Sequence, residues 1–272
     1  MTSGGGEGST PSQATAISDD ERVVAVDSAF PFTPGDTNGV VDVLLKSRLS
    51  GEVTVASVSD DEQPGNGPSS GARLSGDGLT VAFVSAATNL VPGDTNGEPD
   101  VFVRDVVAGT TVRVSTSSTG GQATAQSWPV ALSAEGDHVL FGSAANGLVA
   151  ADTNGVPDLF VRDLSNGALE LVAVGNEGQS GNGHTQAGDL SADGQIVAFG
   201  SVASNLTADD TNGYSDIFVR DRVDRQRRKG LAVLTACGRG VQRCQRRAGE
   251  LVLRPQERAA AEGGGVASAL ST

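Results

Sequence analysis

The sequence is poor in the residues that most often carry catalysis or metal ligation. It contains two histidines and two cysteines among 272 residues, and aromatic residues make up only 4%. No apolar stretch reaches 18 residues, so the sequence predicts no transmembrane helix. Both cysteines, Cys237 and Cys244, lie near the carboxyl end without His or Cys partners at zinc-ligand spacing, so no zinc site is expected. At the other end, Met1–Gly8 has no basic segment followed by an apolar one, so we expect no secretory signal in this chain.

Motifs for catalysis are equally scarce. The two histidines, His138 and His184, lie outside any recurring motif. One Gly-x-Ser-x-Gly match exists, Gly67-Pro-Ser-Ser-Gly71, and its surroundings predict a polar loop, not the strand-to-helix turn that exposes a nucleophilic serine. The sequence therefore predicts no catalytic residues, and we interpret the chain as non-enzymatic.

Charge is distributed unevenly along the chain. Residues 1–221 carry 8 Lys and Arg against 29 Asp and Glu, a net charge of −21, whereas residues 222–272 carry 11 against 4, a net charge of +7. Phosphate binding needs cationic side chains, so the acidic part argues against a nucleic-acid partner. A strongly acidic surface is instead compatible with binding divalent cations.

What the sequence does contain is a regular internal repeat. The tetrapeptide Asp-Thr-Asn-Gly begins at Asp36, Asp94, Asp152 and Asp210, and consecutive copies are 58 residues apart. A constant period of this length indicates structural units that stack on their neighbours. Each copy should therefore be one unit of an array.

Each unit reads as four short strands. In the third, a short apolar run from Val130 is followed by candidate strands at His138–Ser143, Asp158–Asp163 and Leu169–Val174, with turn residues between them. The second and third strands are apolar on both faces, whereas the fourth alternates as an outer edge does. The fold class predicted is an all-β propeller of four-stranded antiparallel blades, with about four repeats and an incomplete set of blades. A helical solenoid and a nonapeptide β-helix are disfavoured because neither period is present.

The repeat also resembles a known family. The succession Leu-Ser-Ala-Asp-Gly, Val-Ala-Phe, Asn-Leu, Asp-Thr-Asn-Gly and Asp-(Val/Ile/Leu)-Phe-Val-Arg-Asp is similar to the WD40-like β-propeller repeats of the TolB type, over roughly residues 17–221. The resemblance implies an extracytoplasmic binding or scaffold module with a protein or glycan partner. Two alternatives stay open: the propeller portion of a secreted hydrolase, and a non-functional truncation.

The repeat gives three predicted segments: a lead-in at 1–16, the propeller repeats at 17–221 and an aberrant or disordered basic tail at 222–272. A fourth strand is due at Arg227–Ala232, where the chain is too basic for an outer strand. The abrupt change after Asp221 suggests an out-of-frame or chimeric end of a longer gene. A genuinely disordered basic tail is the other interpretation.

The best candidate for ligand chemistry is the loop Asp-x-Asn-Gly-x-x-Asp. Calcium requires about six to eight oxygen ligands, which short loops of Asp and Asn can supply in part. The loop resembles the later half of integrin-type calcium loops but lacks their first ligand, where Pro34, Pro92, Ala150 and Ala208 stand. Turn chemistry alone would also select Asp and Asn-Gly, so both interpretations stay open. The predicted Ca²⁺ ligands are Asp36, Asn38, Asp42, Asp94, Asn96, Asp100, Asp152, Asn154, Asp158, Asp210, Asn212 and Asp216.

A second recurring feature is an Arg-Asp pair that ends the third strand. Neighbours on a strand point to opposite faces, so Arg and Asp of a pair must find partners elsewhere. We expect ion pairs between blades or from strand to turn. The pairs are Arg104/Asp105, Arg162/Asp163 and Arg220/Asp221.

Overall fold

The structure is a computed structural model, and it describes residues 10–175, 178–208, 210–211 and 213–222, together with the strands at 231–234, 244–247 and 250–253. All regular secondary structure in these residues is β. No described helix is long and apolar enough to cross a membrane. The chain forms two compact units, Met1–Val233 and Leu234–Thr272.

Four blades follow one another along the chain, each a sheet of four antiparallel strands in sequence order. Short hairpin-type turns join the first strand to the second, and in blades 1 to 3 the third to the fourth, because such turns connect antiparallel neighbours directly. A longer loop joins the second strand to the third. Blade 1 contains β1 (Ser12–Ile17), β2 (Val23–Ser28), β3 (Asp42–Ser47) and β4 (Val53–Val55). Blade 2 contains β5 (Ser69–Leu74), β6 (Thr80–Ser85), β7 (Asp100–Asp105) and β8 (Thr110–Arg113). Blade 3 contains β9 (Ser127–Leu132), β10 (His138–Ser143), β11 (Asp158–Asp163) and β12 (Leu169–Leu171), and blade 4 contains β13 (Thr185–Leu190), β14 (Ile196–Ser201), β15 (Asp216–Asp221) and β16 (Leu231–Leu234).

The predicted all-β propeller blades are confirmed. The second and third strands of blade 3 have the bounds that the sequence predicted, and the fourth begins at the predicted residue and is shorter. In blades 2 and 3 the second and third strands are buried on both faces. The fourth strand of blade 2 alternates between exposed and more buried residues, because only one of its faces packs against a neighbouring blade.

Three apolar cores hold consecutive blades together. Blades 2, 3 and 4 each contribute a pair of stacked phenylalanines to the core shared with the preceding blade. In blade 3 the rings of Phe141 and Phe160 lie 5.6 Å apart between centroids, and both are fully buried. Burying a large apolar side chain contributes about 1.5 to 3 kcal/mol, so these pairs are a main source of cohesion between blades. The array depends on nearest-neighbour packing, as the repeat predicted.

The recurring Arg-Asp pairs fulfil the expected structural role in a modified form. Arg104 forms an ion pair with Glu62 of blade 1, as predicted between blades. Arg162 and Arg220 instead donate hydrogen bonds to backbone carbonyls of the preceding blade, those of Val114 and Val172 among them. A guanidinium carries five donors, which suits it to satisfy several carbonyls at a strand end. The prediction of ion pairs was therefore wrong for Arg162, whose partners in the described part of the chain are backbone carbonyls and the Thr116 hydroxyl. For Arg220 the ion pair stays a prediction.

The aspartates of two of these pairs cap turns, and within the described part of the chain neither forms an ion pair with an arginine. Asp105 accepts hydrogen bonds from the backbone amides of Val107 and Ala108, and Asp163 accepts one from the amide of Ser165. A carboxylate that accepts amide protons in a tight turn stabilises the hairpin locally. These contacts join a strand to a turn, but they are hydrogen bonds to backbone amides and not the predicted ion pairs.

At the ends of the array, strand β1 begins at Ser12, within the stretch predicted as a lead-in. The fourth strand of blade 4 is described at Leu231–Leu234, whereas residues 227–230 of the expected strand lie outside the described residues. The second unit contains β17 (Cys244–Arg247) and β18 (Glu250–Leu253), which pair antiparallel. The frameshift hypothesis stays a prediction.

Candidate cation-binding loops

The Asp-Thr-Asn-Gly segment lies in the loop that joins the second and third strands of each blade. Its glycine takes a positive φ where it is described, +73° at Gly97 and +73° at Gly155, which favours glycine because no Cβ is strained. The last aspartate of the motif is the first residue of the third strand, as at Asp42, Asp100 and Asp158. The turn therefore directs the loop back onto the strand that follows it. We name the aspartate of the tetrapeptide the loop aspartate and the one that begins the third strand the strand aspartate.

The asparagine organises the loop. In blade 3 the Asn154 Nδ2 donates to Asp158 Oδ2 at 2.6 Å and to the carbonyl of Gly181 at 2.8 Å, while its Oδ1 accepts from the amide of Val156 at 2.9 Å. Asn38 and Asn96 repeat these three contacts in blades 1 and 2. The amide oxygen is thus engaged in an Asx-type turn. In this geometry the carboxylates are the groups that can face a cation.

The strand aspartates of blades 1 and 3 are buried and held by neutral donors. Asp42 accepts from Ser57 Oγ at 2.6 Å and from Asn38 Nδ2 at 2.7 Å. Asp158 accepts from Asn154 and, at 3.1 Å, from Thr185 Oγ1. Burial outweighs these hydrogen bonds and raises the pKa of Asp158 to about 6, with the nearby Asp152 carboxylate as a further cause.

The loop aspartates of blades 1 and 3 are buried without adequate partners. Asp36 and Asp152 are each 5% exposed. Among the described residues, Asp36 Oδ2 and both carboxylate oxygens of Asp152 accept no hydrogen bond. Burial, together with the charge of Asp42, raises the pKa of Asp36 to about 6, and burial raises the pKa of Asp152 despite the opposing influence of the Gly147 amide. Native proteins rarely leave a buried carboxylate in this state.

In blade 2 an arginine compensates the charge of the buried carboxylates. Arg113 Nη1 lies 2.9 Å from Asp94 Oδ1 and 3.2 Å from Asp100 Oδ2, and all three side chains are buried, Arg113 being 9% exposed. The guanidinium opposes the effect of burial on the pKa of Asp94, which is nevertheless raised. The two carboxylates of one loop therefore face a common point, and a positive charge lies at that point.

Blade 4 repeats the acidic residues, but its geometry is described less completely. Asp216 is buried at the start of β15, and Asp210 Oδ1 is buried and accepts no hydrogen bond in the described part of the chain. Asn212 lies outside the described residues. The candidate sites considered below are therefore those of blades 1, 2 and 3.

The donor set is that of a two-carboxylate site. Within the described ranges, no three His, Cys, Asp or Glu side chains converge in a way that could hold a metal. A hard divalent cation at one of these loops would need backbone carbonyls or water to complete its shell. Asp36 and Asp42, or Asp152 and Asp158, would supply its charged ligands.

Arg113 is the residue of this site that the sequence analysis missed. It lies on the fourth strand of blade 2, outside the repeated motif, and its role depends on the pairing of β7 with β8. The period offered a signal: one repeat before Arg113 stands Val55, and one repeat after it stands Leu171. This position is cationic in one repeat and apolar in the repeats on either side, so it is a position where the blades differ.

The residues considered for catalysis are engaged in structural contacts. The prediction that Gly67–Gly71 forms a loop was wrong in part, because Ser69 begins strand β5, where its buried hydroxyl bonds to Ser85 Oγ at 2.8 Å. His138 Nδ1 lies 2.7 Å from Asp137 Oδ1, and His184 Nε2 lies 2.7 Å from Gln186 Nε2. Both histidines therefore have side-chain neighbours within their own blade.

Comparison with known proteins gives likenesses of structure only. No protein-family profile matches the sequence, and no curated protein matches it. Among solved structures, the chain is similar to TolB from Acinetobacter baumannii, with 18% identity, a TM-score of 0.47 and coverage of 83% of this chain and 43% of the other. It is similar to a TolB candidate from Agrobacterium tumefaciens at 15% identity, TM-score 0.49, covering 84% and 62%. It is also similar to a prolyl endopeptidase at 14% identity, TM-score 0.47, covering 82% and 29%.

The chain thus spans less than two thirds of the length of each of these proteins. At such identities a likeness concerns the fold and not the function. The architecture itself is set by the chain's own sheets: successive four-stranded antiparallel blades that share apolar cores. This is an all-β fold of the β-propeller type.

Proposed function

We propose that the chain is a non-enzymatic β-propeller module, stabilised by calcium, that serves as a binding or scaffold element of an extracytoplasmic protein. One observation carries the cation part: buried carboxylate pairs at Asp36/Asp42 and Asp152/Asp158 with unpartnered oxygens on the loop aspartates. Two adjacent buried carboxylates repel each other and lose hydration, so the folded state favours either protonation or a bound cation.

Calcium fits these loops better than softer metals do. The available donors are carboxylate and carbonyl oxygens, which hard cations prefer, whereas thiolate and imidazole ligands suit zinc and copper. Calcium also tolerates irregular coordination with several waters, while magnesium requires a nearly octahedral shell. A site with two carboxylates and open coordination positions therefore favours Ca²⁺.

The binding role rests on the resemblance of the repeat to TolB-type propellers and on the acidic surface of the array. The partner would be a protein or glycan, and nucleic acid is disfavoured by the charge of residues 1–221. The contacts of Ser69, His138 and His184 support a structural role for these side chains over the alternative of a secreted hydrolase. Turnover of ester or peptide probes by the purified chain, lost on replacing Ser69 or a histidine, would favour that alternative.

Thermal unfolding of the full chain tests the cation part. We expect calcium to raise the Tm and a chelator to lower it, because an ion that binds only the folded state stabilises it. Replacing both aspartates of blade 3, Asp152→Asn with Asp158→Asn, should reduce the calcium-induced shift. Glu135→Gln is the matched control, since Glu135 is an exposed acid of the same blade. A Tm that changes neither with calcium nor with chelator would overturn the proposal.

A further inference from the structure

The position occupied by Arg113 is defined by the strand register and is the same in each blade. Arg113 on β8 is opposite Phe102 of β7. Val55 on β4 is opposite Leu44 of β3, and Leu171 on β12 is opposite Phe160 of β11, with the same offset from the strand aspartate. The three positions are therefore equivalent in register, and Val55 and Leu171 pack against apolar clusters in blades 1 and 3. Only in blade 2, among these three, is the side chain at this position cationic.

Blade 2 also holds its arginine in place. Gln122 Oε1 accepts from Arg113 Nη1 at 2.9 Å and from the loop amides of Thr95 and Asn96 at 3.1 Å and 3.2 Å. One repeat away in either direction the equivalent residues are Pro64 and Ser180, whose side chains are too short to bridge in this way. The guanidinium is thus tied to both carboxylates and, through Gln122, to the turn.

The geometry of Arg113 shows where a positive charge lies between the two carboxylates of blade 2. Its Nη1 lies between one oxygen of each carboxylate, at 2.9 Å and 3.2 Å. Calcium binds oxygen at about 2.3–2.6 Å, so its contacts to two carboxylates would be shorter than those of the guanidinium. Where Val55 and Leu171 replace Arg113, the buried loop aspartates retain unpartnered oxygens. These blades have the two carboxylates but no tethered positive charge.

We propose that Arg113 is an internal substitute for the divalent cation, so that blades 1 and 3 each bind one Ca²⁺ ion whereas blade 2 binds none. This inference rests on the proposed calcium stabilisation and assigns it to particular blades. The ligands are Asp36 with Asp42 and Asp152 with Asp158. Asp94 and Asp100 are satisfied by the guanidinium.

Counting bound calcium on the full chain by equilibrium dialysis tests the assignment. Arg113→Leu, which places the blade 3 residue in blade 2, should add one ion per chain, and Arg113→Lys, which keeps the charge, should add none. Any ion bound by blade 4 is common to all variants and cancels in the comparison. An unchanged count in a folded Arg113→Leu protein would overturn the inference while leaving the proposed function intact. No calcium on the unmodified chain would overturn both.

A reciprocal variant keeps the inference testable if Arg113→Leu fails to fold. Val55 is only half-buried, so Val55→Arg brings a guanidinium to the blade 1 loop at the same register with little disturbance of the core. We expect this variant to lose one ion per chain, and Val55→Met, of similar length without charge, to keep it. Retention of the full count by a folded Val55→Arg protein would contradict the substitution of guanidinium for cation.

Discussion

The loops of blades 2 and 3 begin from the same residues and reach opposite electrostatic states. Both contain a buried loop aspartate and a buried strand aspartate, joined by the same asparagine contacts. In blade 2, Arg113 neutralises the pair, whereas in blade 3 Leu171 occupies its position and both oxygens of Asp152 are unpartnered. The backbone turn is thus the same in both repeats, whereas the group that faces the two carboxylates differs. A turn motif can therefore be retained for its geometry even where its charge is satisfied in different ways.

Removing Arg113 should have the largest effect on the difference between blades 2 and 3. With calcium chelated, Arg113→Leu should lower the free energy of unfolding by about 3 kcal/mol or more, because breaking a buried ion pair leaves uncompensated buried charge. Added calcium should restore much of the loss. Chemical denaturation with chelator and with calcium measures both effects. Equal stability of Arg113→Leu and the unmodified chain under chelation would contradict this account of blade 2.

Each bound calcium ion should have the next largest effect. At a free concentration about 100 times the Kd, each occupied loop should gain about 2.7 kcal/mol of stability. Magnesium should stabilise less at equal concentration, because it releases its water reluctantly and demands octahedral geometry. Parallel denaturation curves in the two ions check the order. A larger gain with magnesium would argue against a calcium site.

Single loop aspartates should respond with opposite signs in the two blades. Under chelation, Asp94→Asn should destabilise by about 1–3 kcal/mol, because it removes a charged partner of buried Arg113. Asp152→Asn should be neutral or stabilising by up to about 1 kcal/mol, since it removes one of two repelling carboxylates. Denaturation of both variants beside Glu135→Gln separates these outcomes from a general effect of charge. If Asp94→Asn and Asp152→Asn destabilised the chain equally, the proposed electrostatic difference between blades 2 and 3 would be contradicted.

The stability of the chain should also depend on pH. The pKa of Asp36 and that of Asp158 are each raised from 3.8 to about 6, so without calcium the folded state binds protons more tightly than the unfolded state does. Their contribution to stability is therefore fully present below about pH 4 and is lost as pH rises through about 6. Unfolding across this range, compared with the double variant Asp36→Asn/Asp158→Asn, measures it. His184 lies close enough to Asp158 to lower its pKa, so the two blades need not titrate together.

Calcium should reverse the pH trend. The ion requires ionised carboxylates, so its affinity should rise as pH increases through about 6. Titration of the full chain with calcium at several pH values measures the change. An affinity that is constant across this window would show that neither Asp36 nor Asp158 takes part in binding.

The strands were predictable because their signal is local. Alternation and apolar runs repeat every 58 residues, and the third strand of blade 3 was predicted with the bounds it has. The turn function of the asparagines was also open to prediction, since Asn-Gly favours such turns. What could not be predicted was the partner of each carboxylate. Arg113 reaches Asp100 only because β7 and β8 pair in a particular register, and no local pattern shows this.

The partners of the recurring arginines show the same limit. The sequence predicted ion pairs between blades, and Arg104 meets Glu62, whereas Arg162 reaches the carbonyls of Val114 and Thr116. The surface of the preceding blade decides between a charged and a neutral acceptor, and that surface is brought to the arginine only when blades stack. The local sequence therefore predicts the strands themselves, whereas the contacts between blades depend on the assembled array.

The most direct test is the position of the ions in crystals of the full chain grown with calcium or a lanthanide substitute. Anomalous scattering should give one peak between the carboxylates of Asp36 and Asp42 and one between those of Asp152 and Asp158. No peak should lie between Asp94 and Asp100, where Arg113 supplies the positive charge. A peak at the blade 2 loop, or none at the loops of blades 1 and 3, would contradict the account.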